Sequence, residues 1–182
     1  MKKLQRLALL VWALPIGLFV TPSAHAFESI EVSGQYPVAL GDKAQNFNSN
    51  FGVGASLYFD RLLDPSVPNY VSIGYNSFAL KVNSDAAFRV FPIVVGADFE
   101  GKVFSDLKTV FGAAIGGAIG YIAVPNATTF NMSGYFVGQI KPGLEYDAGD
   151  DFSITARMPL TVLAGKASMS YLTYQIGVKM KL

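Results

Sequence analysis

From Phe27 to Leu182 apolar residues recur at every second position, the spacing of strands whose successive side chains point to opposite faces of a sheet. The last segment shows it most plainly: Leu172, Tyr174, Ile176, Val178, Met180 and Leu182 share one face, and Tyr171, Thr173, Gln175, Gly177, Lys179 and Lys181 share the other. The segment before it sets Phe152, Ile154, Ala156, Met158, Leu160 and Val162 against Ser153, Thr155, Arg157, Pro159 and Thr161. Residues 132–146 oppose Phe136, Ile140, Leu144 and Tyr146 to Ser133, Tyr135, Gln139, Lys141, Gly143 and Glu145. Residues 110–124 oppose Phe111, Ala113, Ile115, Ile119 and Tyr121 to Gly112, Ala114, Gly116, Ala118 and Gly120. Residues 88–99 oppose Phe91, Ile93, Val95, Ala97 and Phe99 to Val90, Pro92, Val94, Gly96 and Asp98. With similar segments at 30–40, 50–59 and 70–82, the pattern predicts about eight strands, each long enough to cross a bilayer at a tilt. In the third, Val71, Ile73 and Tyr75 fall on one face and Phe78, Leu80 and Val82 on the other, which predicts a β-bulge near Asn76 or Ser77.

The fold class expected is all-β, an eight-stranded antiparallel up-and-down barrel with its greasy face outward. A soluble barrel puts its apolar face inside, but an eight-stranded interior holds only modest side chains and cannot take several large ones from every strand. The opposite face, rich in Gly, Ala, Ser, Thr and Gln, is too sparsely charged for a soluble surface and suits a filled polar lumen. Phe59, Phe99, Phe111, Tyr146 and Phe152 fall at strand ends on one side, as an aromatic girdle does, and Phe51 and Tyr121 suit the other girdle. Residues 110–124 also carry the small-xxx-small spacing of packed membrane helices, but they are too few to span as a helix and lie between Lys108 and Pro125. Residues 60–69, 100–107 and 147–151 are expected as periplasmic turns, and 41–49, 83–87, 125–130 and 165–167 as surface loops.

The first 26 residues read as a secretory signal peptide. Lys2, Lys3 and Arg6 precede an apolar run, Leu7 to Val20, that Pro15 interrupts, and Ala24-His25-Ala26 is a small-x-small cleavage site. Its removal takes away three of the 14 basic residues and the only histidine, and leaves 27–182 as one domain with a slight acidic excess and nothing that suggests nucleic acid. The chain has no Cys, so no disulfide framework is expected.

Gln175, Gly177, Met180 and Leu182 follow the polar-x-Gly-x-x-apolar-x-apolar order of the C-terminal signal read by barrel assembly machinery. With Gly74-Tyr75-Asn76-Ser77-Phe78, the Pro92-Ile93-Val94-Val95-Gly96 strand and the Gly-rich fifth segment, the mature chain resembles the OmpA/OmpX-like outer-membrane β-barrel domain family. The resemblance implies a bacterial outer-membrane location, with membrane lipid and the assembly machinery as partners. Leu182 departs from it, since that signal usually ends in Phe.

Polar faces that line a lumen bring Glu31, Asp98 and Glu145 together with Lys141, Arg157 and Lys179. Three acids against three bases predict an ion-paired plug, where a selective pore would carry a ring of one sign. The function expected is non-enzymatic, structural or surface-interacting, and a small channel for ions or solutes is the alternative. No catalytic constellation is present without His, and Asp147, Asp150 and Asp151 read as a solvated turn around Gly149. No metal or cofactor is expected, because the mature part lacks Cys and His and no Asp-x-Asp-x-Asp-Gly run occurs. Residues 60–69, with Leu62, Leu63, Pro65 and Val67, form a longer and more apolar turn than usual and are the candidate contact for a periplasmic or surface protein partner.

Overall fold

The computed structural model describes residues 27–59, 69–83, 85–125, 131–165 and 168–182. Its elements are β1 (Phe27–Leu40), a 3-10 helix (Gly41–Asn46), β2 (Phe47–Phe59), β3 (Asn69–Leu80), β4 (Ala87–Lys102), β5 (Leu107–Ala123), β6 (Met132–Asp147), β7 (Phe152–Arg157), β8 (Leu160–Ala164) and β9 (Met169–Lys181). All pairings are antiparallel, and β1 pairs with β9 to close the ring. The two segments β7 and β8 are halves of one strand: both lie between β6 and β9 in unbroken register. The break falls at Met158-Pro159, where Met158 N–H still donates to Pro142 O at 2.8 Å and Thr173 N–H to Pro159 O at 2.8 Å. Neither proline can return the bond, having no N–H. The wall therefore has eight staves, as the alternation predicts.

Paired residues trace the closure. From Ser29 the path runs through Tyr58, Tyr70, Gly96, Ala114, Gln139, Thr161 and Tyr171 and returns to β1 at Ala39, ten residues along. With ordinary strand rise and spacing, that offset over eight staves gives a tilt of about 40° and a wall radius of about 8 Å. Both described ends of the chain, Phe27 and Leu182, lie at one rim together with the ends of β2, β4 and β6. The ends of β1, β3, β5 and β8 lie at the opposite rim, the loop rim.

Alternation holds along every stave. Phe91, Phe111, Ile115, Phe136, Leu144, Ile154, Tyr174 and Ile176 are exposed on the outside, and Ser33, Asp98, Lys141, Thr155, Arg157 and Thr173 are buried inside. Residues 110–123 lie in β5 and not in a helix. Its small inward row makes room for large neighbours: a Cβ on Gly120 would sit 2.9 Å from both Phe88 and Tyr135 ring carbons.

Three sequence expectations are corrected. No bulge interrupts β3, whose pairing with β4 keeps one register from Asn69 to Ala79. Phe78 and Leu80 change character because the lumen itself becomes apolar there, and the register shift lies in β2, between Ser49 and Gly52. Phe59 is buried and adds nothing to the exposed girdle that Phe99, Phe111, Tyr146 and Phe152 form. Strand structure also runs past the expected turn boundaries, to Lys102 in β4 and from Phe47 in β2. The expected leader and the turn bearing Leu62, Leu63, Pro65 and Val67 lie outside the described residues.

An outer surface of this composition needs hydrocarbon around it. The mature chain is expected to fold in detergent or lipid and to aggregate in plain buffer. Circular dichroism, together with a mobility difference between boiled and unboiled samples on a gel, would show this; a soluble strand-rich monomer without detergent would contradict it.

Candidate functional site

The lumen is the only part of the described molecule where many ionisable side chains converge away from solvent. Inward alternation brings Glu31 from β1, Tyr58 from β2, Asp98 from β4, Lys141 and Glu145 from β6, Arg157 from β7 and Lys179 from β9 to one region. Arg157 is its hub. Its guanidinium lies 2.7 Å from Asp98 Oδ2, 3.3 Å from Glu31 Oε2 and 3.7 Å from Glu145 Oε2, so it touches three carboxylates on three other staves. Lys179 Nζ continues the chain to Glu145 at 3.2 Å and to Glu100 at 3.7 Å, and Lys141 Nζ lies 3.8 Å from Asp98 Oδ1.

Tyrosines fill the spaces between these charges. Tyr58 accepts from Arg157 Nη2 at 3.1 Å, and its hydroxyl lies 2.8 Å from Glu31 Oε2 and 3.2 Å from Asp98 Oδ2. Having one proton, it donates to one acid at a time. The rings of Tyr58 and Tyr70 are 5.5 Å apart; Lys179 Nζ lies 4.5 Å from the first and Lys141 Nζ 3.7 Å from the second. The result is a series of cation, ring, ring and cation with the rings tilted at 47°, an arrangement that shelters ammonium groups largely withdrawn from water. Gln175 Nε2 donates to Glu31 Oε1 at 2.9 Å and to Ser33 Oγ at 3.0 Å, and Thr155 donates to the same Glu31 oxygen at 3.2 Å.

Two glycines give the charges clearance. A Cβ on Gly112 would collide with the Asp98 carboxylate and lie 3.1 Å from Lys141 Cε, and one on Gly143 would lie 2.7 Å from Arg157 Cγ. Toward the terminal rim the network continues into partly exposed groups, with Lys108 at 3.0 Å from Asp147 and 3.9 Å from Glu100.

Above the charges lies a polar cavity of about 30 Å³, lined among others by Ser56, Ser72, Asn76, Gln139, Lys141 and Thr173. Above that, the loop half of the lumen is apolar. Phe78 packs 6.0 Å from Phe47, 6.2 Å from Phe88 and 5.3 Å from Tyr171 between ring centres, and Val90, Val137, Leu163 and Met169 complete the layer. The expected lumen, polar throughout, is thus polar in one half only.

All six residues expected in the lumen network, Glu31, Asp98, Lys141, Glu145, Arg157 and Lys179, lie in this one connected set. Glu100, Lys108 and Asp147 extend it, and sequence reading placed them in or beside turns; the longer strands β4, β5 and β6 carry them inward. Tyr58 and Tyr70 were not singled out, although their inward parity follows once β2 and β3 are paired at those two residues. Of the residues in the expected assembly signal, Gln175 and Gly177 face the lumen, whereas Met180 and Leu182 are exposed at the terminal rim. The described residues hold no cluster of acids with metal-ligating geometry.

Wall and lumen together define a class of fold, the small up-and-down β-barrel closed by eight antiparallel staves. Among solved structures it is similar to Neisserial surface protein A, with a TM-score of 0.71 at 12% identity over 88% of this chain and 100% of that one. It is also similar to Ail, the attachment invasion locus protein of Yersinia pestis, with a TM-score of 0.55 at 12% identity over 86% of this chain and 99% of that one. The N-terminal β-barrel domain of Pseudomonas aeruginosa OprF gives 0.50 at 16% identity over 86% and 98%. The chain matches no family profile and no curated protein sequence. The likeness is one of fold, and at that level the eight-stranded up-and-down barrel expected from the sequence is present.

Removing the hub of a buried ion network strands its partners. Arg157→Ala leaves Glu31, Asp98 and Glu145 short of a counter-charge and is expected to destabilise the barrel by about 3–5 kcal/mol. Lys108→Ala, at the partly exposed rim, should cost less than about 1 kcal/mol. Urea unfolding midpoints in one detergent would compare them, and equal shifts would contradict the hub assignment.

Proposed function

We propose that the chain is a non-enzymatic barrel of the bacterial outer membrane with a structural or surface-interaction role and a lumen closed to solutes. The observation that carries this reading is the double closure of the lumen, by the Arg157 ion network in one half and by the Phe47, Phe78, Phe88 and Tyr171 layer in the other. A narrow interior whose charges of both signs pair with one another has neither the free path nor the single-sign ring that ion selection uses. The apolar outer surface and the exposed Phe99, Phe111, Tyr146 and Phe152 at the terminal rim support a membrane location. A second reading, a small channel, is favoured by the cavity of about 30 Å³, whose polar walls would suit a small solute between the two closures.

Conductance in planar bilayers separates the two. The closed-barrel reading expects no steady openings from the wild type. Steady, voltage-independent openings whose size responds to Glu145→Ala or Arg157→Ala would establish the channel instead. A protein partner belongs to the same proposal and is assigned to the turn bearing Leu62, Leu63, Pro65 and Val67. Replacing residues 60–69 by a tight Asn-Gly turn should leave assembly intact and abolish crosslinks to periplasmic proteins; unchanged crosslinks in a folded variant would dismiss that site.

A further inference from the structure

The outside of the barrel carries one feature that neither the fold nor the lumen explains. Apart from Glu28 at the terminal rim, Arg89 is the only charged side chain at an outward strand position among the described residues. It lies on β4, one outward position nearer the loop rim than Phe91, and pairs in register with Ser77 on β3 and Tyr121 on β5. Arg89 hydrogen-bonds the Tyr121 side chain, no described carboxylate forms an ion pair with it, and its Nε is buried without a hydrogen-bond partner. A cation held on a lipid-facing wall with no counter-charge among the described residues is costly unless something anionic meets it.

Its surroundings have the order of a membrane interface. Immediately below, four outward aromatic rings run across four staves: Phe51 lies 5.7 Å from Tyr75, Tyr75 5.0 Å from Phe91, and Phe91 6.1 Å from Tyr121 in a stacked pair. Such a row marks headgroup depth, where aromatic side chains bridge hydrocarbon and water. At the level of Arg89 the wall turns polar, with Asn50 Nδ2 donating to Ser77 Oγ at 3.5 Å. That polarity depends on the register shift between Ser49 and Gly52, which brings two β2 residues opposite one on β3.

We propose that Arg89, with the Tyr121 hydroxyl beside it, binds the phosphate of a lipid headgroup in the leaflet around the loop rim. A planar guanidinium presents paired donors that fit phosphate oxygens, and the aromatic row below offers a flat apolar surface to the upper acyl chains of the same lipid. The inference rests on the membrane reading above and deepens it, because it names the headgroup chemistry that the barrel selects. On that reading the loop rim faces outward, so the lipid is one of the outer leaflet.

The test uses the full mature chain, refolded in zwitterionic detergent and reconstituted in nanodiscs, with insertion verified by the boiled-against-unboiled gel shift. Two probes are compared by native mass spectrometry, a phosphorylated glycolipid and the same glycolipid after removal of its phosphates. The wild type should retain the phosphorylated lipid preferentially, and Arg89→Gln should weaken that retention by about tenfold, the loss of one strong charge-assisted contact. Arg89→Lys, which keeps the charge and loses the fork, should fall between them, and it serves as the measured variant if the Gln form does not fold. Equal retention of both probes by the wild type, or wild-type retention in both variants, would overturn the site. Failure of the wild type to insert at all would instead overturn the membrane reading on which the site rests.

Discussion

The ten-residue offset at which β1 meets β9 sets the room inside the barrel, and the character of the lumen follows from that room. A wall radius of about 8 Å lets side chains from opposite staves meet near the axis and leaves little space for solvent between them. Every inward residue must therefore satisfy its neighbours directly. Large side chains find small ones, as Phe88 and Tyr135 find Gly120, and charged side chains find counter-charges, as Arg157 finds Asp98, Glu31 and Glu145. A wider ring would hydrate the same charges and dissolve the network; a narrower one would not admit Arg157 beside Tyr58 and Gly143.

The two halves of the lumen do different physical work. Apolar packing in the loop half gains from burial whichever side chain meets which, so Phe78 would find a ring or an aliphatic partner at several registers. Ion pairs are particular. If the β7 stave moved two residues along β6 and β9, Arg157 would lose its level with Asp98 and Glu31, and buried carboxylates without partners are far more costly than a displaced methyl group. Alternation already forbids a one-residue slip, because it would turn the greasy face inward. The network forbids the two-residue slip that alternation allows.

Most of this architecture was legible in the chain because period-two patterning records which face each residue takes. The inward assignments of Asp98, Lys141, Glu145, Arg157 and Lys179 follow from it stave by stave, and the structure brings those residues within ion-pair reach. What alternation does not record is height along the barrel axis. Read from the terminal rim, the inward side of β6 runs Glu145, Lys141, Gln139, Val137 and Tyr135, from charged through polar to apolar. The same gradient on β4 and β9 builds the apolar layer, but it emerges only once the staves are aligned in register. The reversal at Phe78 was misread for the same reason: inward apolar residues at the loop end look like a parity slip when the whole lumen is taken as polar. Arg89 was passed over because a single arginine near a strand end has no periodic signature; its isolation on the outer wall is a property of all the staves together.

The polar cavity between the two layers lies beside two of the wall's prolines, Pro92 and Pro159. Pro159 removes one ladder donor toward Thr173, and the β3–β4 register omits the pairing of Gly74 with Pro92. Pro92, Pro159, Gly74 and Thr173 all line that cavity, so the backbone ladder is interrupted beside the level of the lumen richest in uncharged polar side chains. A carbonyl deprived of its ladder partner is least costly where polar groups lie next to it and most costly against hydrocarbon. Were the same prolines placed at the level of Phe78 and Leu163, the freed carbonyls would face an apolar layer with nothing to bond. The interruptions at Pro92 and Pro159 thus fall between the ion network on one side and the aromatic layer on the other.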